Sequence, residues 1–256
     1  MTVYLDNAAT TALHPQALDA MLPFLRADYA NPSSPHSSGQ RVRRALDDAR
    51  ERTAAALGAR PEEIVFTGSG SEADSLAIFG LLASGAPGRF ITSAIEHHAV
   101  LHAADVLRER GHEVVILPVD GHGVVVETAL VEALRAGDRD RKTTLVSIMH
   151  ANNEIGTIQN IARLAAIAHE HRALFHSDAV QTAGHIALDV KALDVDALSV
   201  SAHKFEGPKG VGALYLRDGV QPAPLIVGGT QEGGRRAGTE NVAGIVGLSV
   251  ALDLAA

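Results

Sequence analysis

The chain has 256 residues, 46% of them hydrophobic, and its 22 Lys and Arg against 30 Asp and Glu give a formal net charge of −8. This composition excludes a disordered chain, and the excess of acidic residues gives little attraction for nucleic acid or an anionic membrane. The sequence contains no cysteine, which excludes disulfides, thiolate metal sites and a cysteine nucleophile. We therefore expect a small molecule as the ligand.

The N-terminal residues lack the basic start and long apolar run of a signal peptide. Every apolar run is also shorter than the roughly 20 residues that cross a bilayer. We expect a cytoplasmic protein that contacts no membrane.

Helical patterns alternate with short β-branched apolar runs, which predicts an α/β protein with a mainly parallel sheet. In chain order, the predicted strands are residues 63–67, 89–93, 113–119, 144–149, 173–176, 197–200 and 212–216. Apolar residues repeat every three or four positions between them, which predicts helices over residues 38–57, 99–110, 160–172 and 242–254.

A glycine-rich turn, residues 68–73 with the sequence GSGSEA, follows the first predicted strand and opens a helix. It matches the G-x-G-x-x-A dinucleotide pattern, yet short turns of this kind are common between strand and helix. The N–H groups at a helix start favour an anion, and Ser71 adds a hydroxyl. The turn predicts a phosphate site and leaves open whether the phosphate belongs to a dinucleotide or a smaller molecule.

Two further strands end in side chains suited to one chemistry. Ser201, His203 and Lys204 follow one strand, and Asp178 and Gln181 follow another. An amine at the carboxyl edge of a sheet can form a Schiff base, and a carboxylate there can keep a pyridinium nitrogen protonated. A plain salt bridge between Asp178 and Lys204 is the alternative.

The ordered motifs of the chain resemble those of class V, fold-type I enzymes that use pyridoxal 5'-phosphate (PLP), above all the cysteine desulfurases. The resemblance extends over essentially the whole chain. It rests on residues 4–11 (YLDNAATT), 31–34 (NPSS) with His36, 96–101 (EHHAVL), 152–156 (NNEIG), 178–181 (DAVQ), 201–204 (SAHK) and 236–241 (RAGTEN). It implies the large domain of a fold-type I PLP-dependent transferase, with three α/β/α layers and a mainly parallel sheet of seven strands.

The resemblance also implies roles at the matching positions. Lys204 would carry the cofactor covalently and move protons at the substrate α-carbon, and His97 would stack on the ring as the second catalytic residue. Asp178 would pair with the pyridinium nitrogen, Gln181 would bind the phenolic oxygen, and Asn153 would also touch the cofactor. The phosphate would be held by Gly70, Ser71, Ser201 and His203.

In this family a threonine at the position of Thr239 reaches the phosphate of the neighbouring subunit, which implies a homodimer. The implied substrate is an amino acid, L-cysteine in the cysteine desulfurases, and the implied pathway is iron-sulfur cluster assembly. A sulfur-acceptor or scaffold protein is a further implied partner. The histidine pairs of the sequence lack a third ligand in register, so we expect no metal site.

Cysteine desulfurases take sulfur onto a cysteine of a C-terminal small domain, and this sequence has no cysteine. We therefore expect an N-terminal segment over residues 1–20, a PLP-binding large domain over 21–245, and over 246–256 the start of a helix that leads to an absent small domain. The alternatives are another class V PLP enzyme, either an aminotransferase or a selenocysteine lyase, and a non-catalytic scaffold that retains the fold. A nicotinamide enzyme is a third alternative, which leaves Ser201, His203 and Lys204 unexplained.

Overall fold

The computed structural model describes residues 3–83, 87–137 and 144–255. These residues form one sheet of seven strands in the order β1-β7-β6-β5-β4-β2-β3. Strand β7 is antiparallel to β1 and β6, and the remaining neighbours pair in parallel. The strands are β1 (Ile64–Thr67), β2 (Arg89–Ser93), β3 (Glu113–Leu117), β4 (Thr144–Ser147), β5 (Leu174–Asp178), β6 (Ala197–Ser201) and β7 (Gly212–Leu216).

Helices cover both faces of the sheet, because successive strand residues point to opposite sides. Val65, Phe90 and Leu145 pack with one apolar cluster, while their neighbours Phe66 and Ile91 pack with the other. The α-helices of the described residues are α1 (Pro15–Arg26), α2 (Ser37–Ala56), α3 (Gly70–Leu81), α4 (His98–Glu109), α5 (Glu127–Gly137), α6 (Ile161–Glu170), α7 (Val190–Leu193) and α8 (Val242–Ala255). Helices α3 and α4 cover one face, and α2, α6 and α8 contribute to the other. The predicted fold class, a three-layer α/β/α protein with a mainly parallel seven-stranded sheet, is confirmed.

The carboxyl ends of β1, β5 and β6 lie at one edge of the sheet, since these three strands share a direction. From β1 the chain turns directly into α3, β5 ends at Asp178, and β6 leads into a 3-10 turn over Ala202–Lys204. Ligands of α/β proteins bind at this edge. Among the described residues, none of the helices combines the length and apolar character needed to cross a membrane.

Candidate active site

A cavity of about 250 Å³ opens at this edge of the sheet. Its walls include nine of the ten site residues predicted from the sequence: Gly70, Ser71, His97, Asn153, Asp178, Gln181, Ser201, His203 and Lys204. The tenth, Thr239, lies outside this cavity. Ala9, Ser69, Asp74, Met149 and Val180 complete the lining.

The start of α3 forms one wall of the cavity. Ser69 caps the helix, its hydroxyl accepting a hydrogen bond from the N–H of Glu72 at 3.1 Å. The first N–H groups of a helix have no acceptor within it, and the helix dipole adds partial positive charge there. A Cβ built on Gly70 would lie 2.8 Å from Val180 Cγ2 and 3.1 Å from the Ser201 Cβ. The glycine therefore lets the helix start approach the strand ends closely enough to share one anion.

His203 lies on the same side, in the 3-10 turn after β6. Its Nδ1 is 3.1 Å from the Thr10 hydroxyl. Burial lowers the pKa of His203, and the positive charges of Lys204 and Lys209 lower it further. A neutral imidazole whose Nδ1 accepts from Thr10 carries its proton on Nε2, where it can donate to an anion.

Asp178 ends β5 as a buried carboxylate. Its Oδ1 accepts a hydrogen bond from the N–H of Val180 at 2.9 Å. Burial raises its pKa, while the Val180 N–H and the charges of His97 and Lys204 lower it. Because its environment combines burial with nearby cations, this carboxylate suits a cationic partner in the cavity.

Lys204 faces the N-terminal segment. Its ammonium group donates to the backbone carbonyls of Ala8 and of Ala9, the second at 3.0 Å, and Gln181 Nε2 also donates to Ala8 at 3.0 Å. Burial lowers the pKa of Lys204, against the charges of Asp178 and Asp6. No ion pair among the described residues joins Lys204 to Asp178, so the structure does not contain the salt bridge that was the alternative interpretation.

His97 and Asn153 come from two loops that Glu96 holds together. His97 caps α4, its Nδ1 accepting from the N–H of Ala99 at 3.1 Å. The neighbouring Glu96 accepts from the Ser93 hydroxyl at 2.5 Å and from the N–H of Met149 at 3.0 Å. Burial raises the pKa of Glu96 to about 8. Glu96 was not predicted as a site residue, because in the E-H-H run it is only one more polar side chain.

Thr239 lies in a second, smaller cavity of about 140 Å³ beside the glycine-rich loop of residues 227–240. Arg236 of this loop pairs with Glu72 at 2.8 Å, and Glu72 in turn accepts from the N–H of Gly68 at 2.8 Å. The loop is therefore attached to the turn that begins α3. The role of Thr239 toward a second subunit stays a prediction.

Two more buried ionisable side chains lie in the cavity wall or next to it, and neither was predicted as a site residue. Asp74, on the buried face of α3, lines the cavity directly. His176, in the middle of β5, is fully buried. Among the residues that the structure describes, no group of three His, Asp or Glu side chains is placed to hold a metal ion.

The fold and cavity together define a class of α/β protein in which a helix start, a strand-end carboxylate and a half-buried lysine converge at the carboxyl edge of the sheet. The family model described as aminotransferase class-V matches residues 3–256, so the chain belongs to that family. The resemblance to class V PLP enzymes that the motifs indicate is thereby confirmed.

The relatives of the chain are cysteine desulfurases. Cysteine desulfurase IscS of Dictyoglomus turgidum is 52% identical over 255 residues, covering 99% of this chain and 64% of the relative. IscS of Methanosarcina thermophila is 51% identical, over 99% of this chain and 62% of the relative. The chain therefore spans a little under two thirds of the length of these curated relatives.

Solved structures agree with this assignment. A NifS-like protein superimposes with a TM-score of 0.94 at 43% identity, over all of this chain and 70% of the other. A structure described as SspA in complex with cysteine gives a TM-score of 0.92 at 41% identity, over 98% of this chain and 72% of that one. Enzymes of this family use PLP, which favours the smaller phosphate ligand over a dinucleotide at the turn before α3.

Proposed function

We propose that this chain binds PLP and activates the α-carbon of L-cysteine, acting as the large domain of a cysteine desulfurase. The observation that carries the proposal is the convergence of Lys204, Asp178 and the start of α3 on one cavity. The relatives named cysteine desulfurase and the neighbour solved in complex with cysteine support the choice of substrate.

The chemistry of the donor set fits the cofactor. A phosphate needs N–H and hydroxyl donors, which the helix start at Gly70 supplies together with Ser71, Ser201 and neutral His203. A pyridinium nitrogen needs an anion, and Asp178 is a buried carboxylate without an ion-pair partner among the described residues. The cavity wall thus offers both the donors that a phosphate needs and the negative charge that a pyridinium nitrogen needs.

When bound, PLP supplies an electron sink for reactions at the α-carbon of an amino acid. The residues of the chain hold and orient it. Asp178 would bind the ring nitrogen, Gln181 would bind the phenolic oxygen, and His97 and Asn153 would contact the ring. Helix capping fixes the His97 ring, because its Nδ1 is already engaged by Ala99.

Lys204 would hold the cofactor covalently and would move the proton at the substrate α-carbon. Burial lowers its pKa, which favours the amine form that both roles need. The Ala8 and Ala9 carbonyls hold the amino group at the cavity wall.

Borohydride reduction of the PLP-loaded protein, followed by peptide mapping, tests the proposal. We expect a pyridoxyl group on Lys204 and no label after Lys204→Ala. Lys191 and Lys209 are exposed and serve as internal controls. A protein that takes up no PLP, or a label confined to Lys191 or Lys209, would contradict the proposal.

Asp178→Asn should leave PLP bound but slow exchange of the α-proton of an amino acid in deuterated water, by about 100-fold or more. The neutral amide cannot favour the protonated ring nitrogen, so the ring loses its strength as an electron sink. The measurement is the rate of deuterium incorporation by NMR, with the exposed Asp253→Asn as the matched control. An unchanged rate would mean that another group pairs with the ring.

The remaining features are proposed on the resemblance. They are a homodimer in which Thr239 reaches the neighbour's phosphate, a sulfur-acceptor or scaffold protein as partner, and a contribution to iron-sulfur cluster assembly in the cytoplasm. The attachment of the glycine-rich loop to the start of α3 through Arg236 and Glu72 supports a role of this loop near the phosphate.

A further inference from the structure

Asp74 is a buried carboxylate on the wall of the cavity that the proposed chemistry does not use. Its side chain lies one turn into α3, on the face that packs against the sheet, and the residue is 1% exposed. Its Oδ1 has no hydrogen-bond partner among the described residues. A buried, unpartnered carboxylate oxygen is costly if the group is charged, so its protonation state needs an explanation.

In the part of the chain that the structure describes, neither a lysine nor an arginine forms an ion pair with Asp74. The nearest basic side chain is His176, whose Nε2 is 3.7 Å from Asp74 Oδ1. Both ring nitrogens of His176 are already engaged, Nδ1 by the Ser147 hydroxyl at 2.8 Å and Nε2 by the Ser199 hydroxyl at 2.9 Å. Burial lowers the pKa of His176 to about 3, so the ring is neutral at physiological pH.

The other charged groups that act on Asp74 are acidic. A negative charge on Asp178 or on Glu96 would raise the pKa of Asp74, and the Ser199 hydroxyl is the one group that lowers it. Burial is the largest cause, and it raises the pKa of Asp74 well above the ordinary range. Two buried carboxylates that line one cavity cannot both ionise without a large cost in free energy.

The two carboxylates differ in what surrounds them. Asp178 accepts from the Val180 N–H and is stabilised as an anion by the positive charge of Lys204. Among the described residues, Asp74 has neither a backbone donor nor a paired lysine or arginine. We propose that Asp74 is a positioning residue that keeps its proton in the folded protein, so that Asp178 presents the negative charge to the cavity. The effect on the cofactor rests on the proposed function, but the proton on Asp74 does not.

This arrangement has a consequence for the ring nitrogen. If Asp74 were ionised, its negative charge would raise the pKa of Asp178. Asp178 would then be protonated in part of the molecules. A neutral Asp74 leaves Asp178 as the anion that pairs with the pyridinium. Asp74 therefore acts through Asp178, without itself touching the reacting atoms.

Capillary electrophoresis of the PLP-free protein at pH 7 tests the proton. We expect Asp74→Asn to migrate with the parent, because an amide replaces a neutral acid. Asp178→Asn and the exposed control Asp253→Asn should each shift the mobility by a full elementary charge. A full-charge shift for Asp74→Asn, or none for Asp178→Asn, would overturn the assignment.

A second measurement needs no variant. Parent protein labelled with ¹³C at the aspartate carboxyl carbon should show a protonated carboxyl in its infrared spectrum at pH 7, a band that Glu96 cannot give because it carries no label. If Asp74→Asn does not fold, the same labelled spectrum of Asp178→Asn assigns the band, which should persist there. Absence of the band from the parent, or its loss in Asp178→Asn, overturns the proposal.

The loaded protein tests the action on Asp178. With ¹⁵N-labelled PLP, the ring nitrogen should stay protonated in Asp74→Asn, as in the parent, and lose its proton in Asp178→Asn. Loss of the ring proton in Asp74→Asn would overturn this part. If the chain takes up no PLP while the electrophoresis behaves as expected, the proposed function fails and the proton assignment stands.

Discussion

Loaded with PLP and given L-cysteine, the 256-residue chain should exchange the α-proton yet release sulfur at least roughly 10⁵-fold more slowly than a complete cysteine desulfurase. Breaking the carbon-sulfur bond requires a soft nucleophile that accepts the sulfur, and a thiolate is the side chain suited to this. The sequence has no cysteine, and the hydroxyls of Ser69, Ser71 and Ser201 in the cavity wall are poor sulfur acceptors. A thiol in solution restores little, since an oriented intramolecular nucleophile is worth about 7 to 11 kcal/mol.

The assay follows alanine and sulfide, with and without dithiothreitol, and with the C-terminal third of a cysteine desulfurase added as a separate polypeptide. Lys204→Ala gives the background. Rapid alanine formation by the chain alone would contradict the prediction and indicate another acceptor. Absence of both α-proton exchange and rescue would favour the non-catalytic scaffold, and transfer of the amino group would favour the class V aminotransferase.

The strands were predicted well because each is a short apolar run between helical patterns, and all seven occur. Strands β3 and β4 each end two residues before their predicted ends, and β5 continues two residues past its predicted end, to Asp178. Strand β3 ends at Leu117 because Pro118 has no N–H to donate. Strand β4 ends at Ser147 although residues up to 149 are apolar, since the N–H of Met149 is taken by Glu96.

Helices α1, α5 and α7 were not predicted. In α1 a proline begins the helix and Pro23 lies inside it, and an internal proline usually signals a helix end. The helix persists because it packs along α8, a tertiary contact that the local pattern does not reveal. Helix α6 was predicted two residues too long, and Arg172 beyond its end adopts a left-handed backbone with φ of 60°.

The candidate site could be predicted where a simple rule applies. Asp178 ends β5 and Lys204 lies in the turn directly after β6, and parallel strands bring their carboxyl ends to one edge. Asp74 and Glu96 follow no such rule. Each is a single carboxylate whose neighbours in the sequence do not indicate that it is buried. In the described residues, Asp74 Oδ1 has no donor, whereas Glu96 accepts from the Met149 N–H. Only the folded structure determines these contacts.

Glu232→Ala is expected to destabilise the protein by about 3 to 5 kcal/mol, because it leaves a largely buried charge without its partner. Glu232 belongs to the glycine-rich loop, and its carboxylate binds Arg50 of α2 through two hydrogen bonds, at 2.6 and 2.9 Å. The same carboxylate accepts from the N–H of Phe66 in β1 at 2.9 Å. The side chains of Glu232 and Arg50 are only 2% and 13% exposed, so water cannot replace the lost contacts.

The matched control is Asp47→Ala, which breaks the pair with Arg43 on the outer face of α2. Both of those side chains are about half exposed, at 47% and 49%, so its loss should cost at most about 0.5 kcal/mol. Urea unfolding of both variants in the same cofactor state measures the difference, and a cost for Glu232→Ala no larger than that of the control would contradict the prediction.

Loss of Glu232 should also affect the candidate site. Glu232 holds a left-handed backbone with φ of 49°, a conformation that a non-glycine residue keeps only when its surroundings stabilise it. The pair with Arg50 is the main such contact, and Thr239 lies seven residues further along the same loop. If that loop meets the neighbour's phosphate in a homodimer, Glu232→Ala should weaken PLP binding at high protein concentration more than Asp47→Ala does. Equal PLP affinity in the two variants would confine the role of Glu232 to stability.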